Sequence, residues 1–204
     1  MKHNHRKRKP RKVFSFVVDG ETEIWYLQML KKNENLPRID IKPELPRKTK
    51  LSDQISHIKK LSKFYSKVFW IIDVDEVIHN TKSSKKQNPS KVLQEAIIEF
   101  TDKYRNVIII KNNPCLEFWL LLHFTETGRF FEKCDDAKKE LKKHLKDYEK
   151  SQKFYKKQND DIYKKLKPNL SKAINHSKKL NSDKIDLNSP ISEMFKIFEE
   201  LNIN

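Results

Sequence analysis

The strongest constraint on the fold is an alternation of solidly apolar runs with amphipathic segments between residue 13 and about residue 123. Apolar residues recur at helical spacing in the segments between the runs. Strands that are apolar on both faces and separated by helices are typical of parallel sheets joined by crossovers. We therefore predict an α/β domain with a mainly parallel four-stranded sheet flanked by helices. The four predicted strands lie near 13–18, 38–42, 68–72 and 107–110.

Composition divides the chain into three parts. A basic tail at 1–12 precedes the α/β domain at 13–125, and a Lys-rich helical region follows at 126–204. Within that region, Ser189 and Pro190 are typical of a helix start. The predicted last helix would carry an apolar face made of Ile191, Met194, Phe195, Phe198 and Leu201. The sequence leaves open whether the helical region forms a separate lobe or packs on the sheet.

The net charge of +16 and a pI near 9.7 favour an anionic partner, with nucleic acid ahead of a membrane surface. The alternative explanation is that the base composition of the genome favours lysine codons. Seven of the positive charges fall within the first twelve residues. That segment is either a solvated terminus or an arm that follows a phosphate backbone. The residues that we expect to bind nucleic acid are Arg6, Lys7, Arg8, Lys9, Arg11 and Lys12.

The cysteine pattern and the lengths of the apolar runs bear on the compartment. Cys115 and Cys134 have neither CxxC spacing nor matching histidine pairs, which argues against a zinc ribbon or a disulfide scaffold and suits a reducing compartment. The apolar stretch at 118–122 is too short to span a bilayer, and the run at 13–18 is too short for a signal-peptide core. We expect a cytoplasmic protein without a membrane partner.

Two of the predicted strands end in acidic residues. The first run leads into Asp19, and the third leads into Asp73 and Asp75. Ligands of parallel sheets bind beyond the carboxyl ends of the strands, so these carboxylates meet if the two strands are neighbours. Clustered carboxylates repel one another unless a cation such as Mg²⁺ neutralises them. Solvated turn acids are the alternative. We favour a metal site, with Asp73 and Asp75 on one side of an extended segment.

Two more residues near the first strand end belong to the prediction. Glu23 shares a helical face with Leu27 and Leu30, which directs it toward the sheet as a metal ligand or a supporting acid. An acid favoured by the helix dipole is an equally good explanation. Gly20 is one of only two glycines in the chain. We expect it to serve a tight turn or a close approach to a ligand.

A third polar cluster follows the fourth predicted strand. Asn113 and Pro114 indicate a helix cap and first turn. Glu117 is the one charge in the apolar middle of that helix. A buried acid requires a partner, so Glu117 is a metal ligand, an acid that supports the metal site, or an ion-paired core residue. His123 ends the apolar run and is more typical of a hydrogen-bonded core histidine than of a general base.

Three blocks of this sequence together resemble the RloB-like family, whose members lie beside restriction and phage-resistance genes. The blocks are 18–23 with Tyr26, 73–75, and 113–119 continuing through 123–124, and a weaker likeness extends to the closing helix. The family is similar to Toprim domains. In those domains an acid that ends the first strand and an Asp-x-Asp that ends the third bind Mg²⁺ for phosphodiester chemistry.

The resemblance implies a Toprim-like fold with Mg²⁺, or alternatively Mn²⁺, on Asp19, Asp73 and Asp75. It also implies an AAA-type ATPase partner. The family has Glu where this chain has Asp19, which is one methylene shorter and still a hard ligand. The main hypothesis is a metal-dependent nuclease of antiphage, abortive-infection defence, with Glu23 and Glu117 completing the catalytic group. The alternative is a non-catalytic nucleic-acid-binding subunit of an ATPase-containing defence complex. The sequence leaves DNA or RNA and the oligomeric state open.

Overall fold

A computed structural model describes residues 12–36, 39–44, 50–83, 88–180 and 189–203. The predicted nucleic-acid-binding residues Arg6, Lys7, Arg8, Lys9 and Arg11 lie outside these ranges, and Lys12 is the first residue of the first strand. No helix in the described ranges has the length and apolar character needed to cross a membrane.

Strands and helices alternate through the first half of the chain, and helices dominate the second half. The strands are β1 (Lys12–Val17), β2 (Ile39–Glu44), β3 (Lys67–Asp73), β4 (Val107–Asn113) and β5 (Ile191–Ser192). The helices are α1 (Glu21–Asn33), α2 (Leu51–Leu61), α3 (Val74–Ser83), α4 (Pro89–Lys103), α5 (Leu116–Leu122), α6 (Cys134–His144), α7 (Gln152–Tyr155), α8 (Ile162–Leu166), α9 (Leu170–Leu180) and α10 (Phe195–Leu201).

The strands form one sheet in the order β2-β1-β3-β4-β5. The pairs β1–β2, β1–β3 and β3–β4 are parallel, and β5 pairs with β4 in the antiparallel sense. The mainly parallel α/β architecture is confirmed. The sheet has five strands among the described residues instead of four, because the segment after Pro190 begins with a short strand. The last helix therefore starts later than predicted, at Phe195.

The extra strand forms because β4 offers it an unpaired edge. Asn112 and Asn113 pair with Ser192 and Ile191, and the Glu193 N–H then donates to the carbonyl of Lys111 at 2.9 Å. These main-chain hydrogen bonds override the helical spacing of apolar residues that predicted a helix from Ser189 onward. A tertiary partner decides the local structure here.

The central strands are buried on both faces, which explains their solidly apolar sequences. Phe16 and Phe69 stack on one face with ring centroids 4.5 Å apart, within a core covered by α1, α5 and the C-terminal helices. Val17 and Trp70 face the opposite side, where residues of α2 and α4 cover the sheet. Side chains alternate along a strand, so helices on both sides require apolar residues at every position.

The helical region of the second half packs against the sheet. Phe69 of β3 and Leu141, Tyr155 and Phe198 of the helical region belong to one buried cluster. Of the two arrangements that the sequence left open, the described residues therefore adopt the one in which the helices cover a face of the sheet. This packing brings side chains from the second half of the chain to the acidic strand ends.

Candidate metal site

The first feature of the site is the contact between two strand ends. Because β1 and β3 are neighbours and parallel, Asp19 and Asp73 lie at the same edge of the sheet. The backbone N–H of Asp73 donates to Oδ2 of Asp19 at 2.8 Å. The structure therefore brings together the two acids that follow the predicted strands. Their role as metal ligands stays a prediction.

Asp75 lies in a helix and not in an extended segment as predicted. Helix α3 begins at Val74, which is fully buried, so Asp75 occupies the first helical turn. An acid there is favoured by the helix dipole, and burial of Val74 fixes the turn. The N–H of Cys134 donates to Oδ2 of Asp75 at 3.3 Å. Asp75 nevertheless lies close enough to Asp73 for its charge to raise the pKa of that residue.

Glu23 points toward the sheet as its helical spacing predicted. It lies in the first turn of α1, is 2% exposed, and accepts a hydrogen bond from the Thr22 hydroxyl at 3.1 Å. Gly20 precedes this helix with an extended backbone that any residue can adopt. A Cβ at Gly20 would lie 2.8 Å from Oε2 of Glu23. The glycine therefore serves a close approach, and the approaching group is the Glu23 carboxylate.

Glu117 is fully buried in α5 and is held by side chains from the helical region. Its Oε1 accepts a hydrogen bond from the Tyr148 hydroxyl at 2.8 Å and lies 2.8 Å from Nζ of Lys150. The hydroxyls of Tyr148 and Tyr155 lie 2.9 Å apart. Glu117 thus has the partner that a buried acid requires, and its charge raises the pKa of Asp73. It belongs to the same electrostatic cluster as the strand-end acids.

The cap predicted before this helix is wrong by two residues. Cys115 is the N-cap, and Asn113 is the last residue of β4, where its side chain donates to the carbonyl of Ser189 at 2.8 Å. The peptide bond between Asn113 and Pro114 is cis. Asn113 stays in the strand because it pairs with Ile191 of β5, so it is not available as a helix cap.

The two cysteines form a disulfide, although their spacing predicted no disulfide scaffold. Cys115 caps α5 and Cys134 begins α6, and their Cα atoms lie 5.6 Å apart. The helical region folds back over α5 and closes this loop. Residue spacing does not show such a contact, because a fold brings cysteines together independently of CxxC patterns. The bond lies next to Glu117 and next to the Cys134 amide that contacts Asp75.

Burial and mutual repulsion raise the pKa values of the clustered acids. Burial raises the pKa of Asp19 to about 7, and the charges of Glu23 and Glu76 add to it. The pKa of Asp73 is raised well above its usual range by burial and then by Glu23 and Asp19. Burial also raises the pKa values of Glu23 and Asp75. Each acid opposes the ionisation of the others, so a cation would stabilise the cluster.

One oxygen of the cluster has no hydrogen-bond partner. Oδ1 of Asp73 is buried and accepts no hydrogen bond from the described residues. A buried acceptor without a donor is costly unless a proton or a cation reaches it. The neighbouring atoms that could act as metal ligands are carboxylate oxygens, which suit Mg²⁺ or Mn²⁺. Among the described residues, the potential ligand atoms that already lie within 4.8 Å of one another belong to Cys115, Glu117 and Cys134. A hard divalent cation on Asp19, Asp73 and Asp75 suits the chemistry of their oxygens and stays a prediction.

Lys150 is a member of the site that the sequence does not predict. Burial lowers its pKa, but the Glu117 carboxylate beside it outweighs this effect and holds the pKa above the usual value. No sequence signal distinguishes Lys150, because the chain contains 44 lysine and arginine residues. Tyr148 and Tyr155 belong to the same helical region as Lys150. Both are buried in the core.

A cavity of about 800 Å³ gives solvent access beside the cluster. Asp75 lies on its wall together with Phe130, Lys133 and Cys134. Of the clustered acids, Asp75 is the one that lies on the wall of this cavity. His123 matches the core-histidine alternative. Its Nδ1 bonds to the Trp119 carbonyl at 3.0 Å, and burial lowers its pKa to about 4.

A mainly parallel α/β sheet whose two central strands end in a buried carboxylate cluster defines a class of proteins with an acidic site at the carboxyl edge of the sheet. Residues 14–201 match the family of RloB-like proteins, and the chain belongs to that family. No curated protein and no solved structure shows a significant match. The matched residues include both the sheet and the helical region whose Tyr148 and Lys150 contact Glu117.

Proposed function

We propose that this protein is a Mg²⁺-dependent nuclease that cleaves nucleic acid phosphodiesters in the cytoplasm as part of antiphage, abortive-infection defence. The observation that carries the proposal is the buried Oδ1 of Asp73, which has no hydrogen-bond partner among the described residues and lies within a group of acids of raised pKa. Membership of the RloB-like family supports the same reading of the site. The cavity beside Asp75 provides access for a substrate.

The proposed roles follow from the positions of the side chains. Asp19, Asp73 and Asp75 would hold the cation, which supplies polarisation of a phosphate and a more acidic bound water. Glu23 lies against Gly20 at the same edge of the sheet. It would orient the groups around the cation or accept a proton. Glu117 is bonded to Tyr148 and Lys150, so it would act through the cluster's electrostatics.

The proposed partners are nucleic acid and an AAA-type ATPase. The positive net charge of +16 supports an anionic partner. The basic residues at 6–12 would contribute affinity that is independent of sequence. An ATPase partner rests on the family resemblance alone.

The first experiment compares Asp73→Asn with wild type and with Glu95→Gln. Asp73→Asn removes one of the mutually repelling charges, so the metal-free variant should be no less stable than wild type. The variant should bind Mg²⁺ at least about tenfold more weakly, equivalent to about 1.4 kcal/mol. It should also lose cleavage of DNA or RNA in Mg²⁺ or Mn²⁺. Glu95→Gln removes the same charge on an exposed part of α4 and should behave as wild type.

The measurements are thermal melting with and without metal, and cleavage of single- and double-stranded DNA and RNA, with the ATPase partner included. Bound metal stabilises the fold by mass action, so the melting shift reports on occupancy. A variant that cuts as fast as wild type would contradict the site assignment. Wild type without a metal-dependent shift and without cleavage would contradict the nuclease proposal.

The second candidate is a non-catalytic nucleic-acid-binding subunit of the same kind of complex. It is favoured by the hydrogen bonds that the acids already make. The Asp19 carboxylate accepts a hydrogen bond from the backbone N–H of Asp73, and Glu117 forms an ion pair with Lys150. Asp19 is also shorter than the family's Glu. In this case wild type binds nucleic acid but shows no cleavage with any metal or partner.

Deletion of residues 1–12 tests the proposed arm under both candidates. The deletion removes seven positive charges. Each phosphate contact contributes to the slope of log affinity against log salt, so the slope should become shallower by several units. Fluorescence anisotropy of a labelled oligonucleotide across a salt series measures this. An unchanged slope would show that the arm does not contact phosphate.

A further inference from the structure

The disulfide lies against a carboxylate. One carboxylate oxygen of Glu117 and the sulfur atoms of Cys115 and Cys134 all lie within 4.8 Å of one another. The three residues come from the N-cap and first turn of α5 and from the first residue of α6. Two sulfurs and one carboxylate within this distance form the donor set of a transition-metal site.

The second observation concerns the oxygen of Glu117 that faces the sulfur. Tyr148 and Lys150 both contact Oε1. Oε2 lies 3.1 Å from Sγ of Cys134, and a disulfide sulfur carries no hydrogen to donate. Within the described part of the chain, this fully buried carboxylate therefore presents one oxygen that receives no hydrogen bond and is directed at the sulfur pair. Such an oxygen is suited to a cation.

We propose that the reduced chain binds Zn²⁺ through Cys115, Cys134 and Glu117. A dithiol reductant supplies two electrons and two protons. The S–S bond breaks, two thiols form, and the reductant is oxidised to its own disulfide. Zn²⁺ then displaces the two thiol protons to solvent and binds both thiolates and Oε2 of Glu117, with a water in the fourth position.

The charges of the proposed site balance. Two thiolates and Glu117 carry three negative charges, and Zn²⁺ with the Lys150 ammonium supplies three positive ones. Nζ of Lys150 lies 2.8 Å from Glu117 and 3.5 Å from Sγ of Cys134. Lys150 therefore already occupies the position in which it can neutralise the remaining charge.

The site has room to open. With Zn–S bonds of about 2.3 Å in tetrahedral geometry, the two sulfurs must move to roughly 3.8 Å apart. Cys115 is buried, whereas Cys134 begins α6 and lies on the wall of the cavity of about 800 Å³, so Cys134 is the residue with room to move. The cavity also gives the ion a path to the sulfurs.

The two proposed sites share Glu117, but they can be tested separately because they select metals by different chemistry. Thiolates select Zn²⁺ over Mg²⁺, and the strand-end carboxylates favour Mg²⁺. Asp73 takes no part in the sulfur site and Cys134 contributes no side chain to the magnesium site. Variants at these two positions therefore separate the two proposals.

The test titrates Zn²⁺ into the full chain in competition with a chromophoric zinc chelator. Reduced, desalted wild type should bind one Zn²⁺ per chain at the sulfur site, and the oxidised chain should not. Cys134→Ser should weaken zinc binding at least about 100-fold, and Asp73→Asn should change it far less. Co²⁺ added to reduced wild type should give a near-ultraviolet sulfur-to-metal charge-transfer band, which reports thiolate ligation without any variant.

Equal zinc binding by the oxidised chain, or by a folded Cys134→Ser, would overturn the proposal, because the ion would then lie on carboxylates alone. A missing cobalt charge-transfer band would do the same even if Cys134→Ser fails to fold. Zinc binding that requires reduction, in a protein without a Mg²⁺-dependent melting shift, would support this site while contradicting the proposed nuclease.

Discussion

The two parts of the molecule that build the acidic site hold their carboxylates in different ways. Asp19 and Asp73 follow neighbouring strands, and the bond between them runs from a backbone amide to a carboxylate. Glu117 is held by Tyr148 and Lys150, whose side chains reach it from the helical region. The strand-end acids lie in a cluster of raised pKa, and we propose that they bind a metal cation. Glu117 already has a cation beside it, the ammonium group of Lys150.

Lys150→Met tests this difference most strongly. It leaves Glu117 buried without its cation, which should lower the free energy of unfolding by about 3 kcal/mol, the low end for a broken buried ion pair because Lys150 is 40% exposed. Chemical denaturation at neutral pH measures the loss.

The control for Lys150→Met is the double variant that also carries Glu117→Gln. Removing both charges should recover most of the lost stability, since no buried carboxylate is then left unpaired. A double variant as unstable as Lys150→Met would show that Lys150 stabilises the fold through contacts other than its ion pair.

The pH dependence of stability addresses the other part of the comparison. The pKa of Asp19 rises from 3.8 in the unfolded chain to about 7 in the fold. Between these values the folded protein holds a proton that the unfolded chain has lost, so stability from this group is full below the lower value and lost as pH rises toward the higher one. One pKa unit corresponds to about 1.4 kcal/mol, so we expect a loss on the order of 2 kcal/mol between pH 5 and 8 without metal.

Denaturation of the metal-free protein at several pH values measures this effect. Asp19→Asn should flatten the decrease, because the amide does not titrate. Saturating Mg²⁺ should also flatten it by stabilising the ionised acids. Stability that rises from pH 5 to 8 in the metal-free wild type would refute the assignment of a raised pKa to Asp19.

Gly20→Ala should have the smallest effect on stability. The added Cβ would lie 2.8 Å from Oε2 of Glu23, and a carboxylate at the end of a flexible side chain can move away. The backbone of Gly20 is extended, so alanine introduces no strain. We expect less than about 1 kcal/mol of change in unfolding free energy. Mg²⁺ affinity should change severalfold because Glu23 is displaced. Calorimetric titration measures it, and an unchanged affinity would place Glu23 outside the metal site.

The strand-end part of the site could be predicted because each acid directly follows the apolar run that predicts its strand. Apolar runs buried on both faces predict a parallel sheet, and the acids that follow them lie at its carboxyl edge. The contact of Asp19 with Asp73 needs only that β1 and β3 are neighbours. The extended placement of Asp75 was wrong because the helix begins at Val74, directly after the strand.

The part contributed by the helical region could not be predicted in the same way. Lys150 meets Glu117 across 33 positions of sequence, and any of the many lysines satisfies the same local pattern. The disulfide and β5 also depend on long-range contacts. Each forms because the helical region folds back on the sheet, and the periodicity of a single segment carries no information about that packing.

The position of β5 in the chain has a consequence for the order of synthesis. β4 leaves the ribosome well before residues 191–193, whose main chain later pairs with its last three residues, Lys111 to Asn113. Until then the nascent sheet ends in a strand with unpaired main-chain groups, which can pair with another chain. Residues 191–193 therefore protect this end of β4 only after the rest of the sheet has been synthesised. A chain that stops before Ile191 would leave this end of β4 unpaired permanently, so premature termination should increase aggregation.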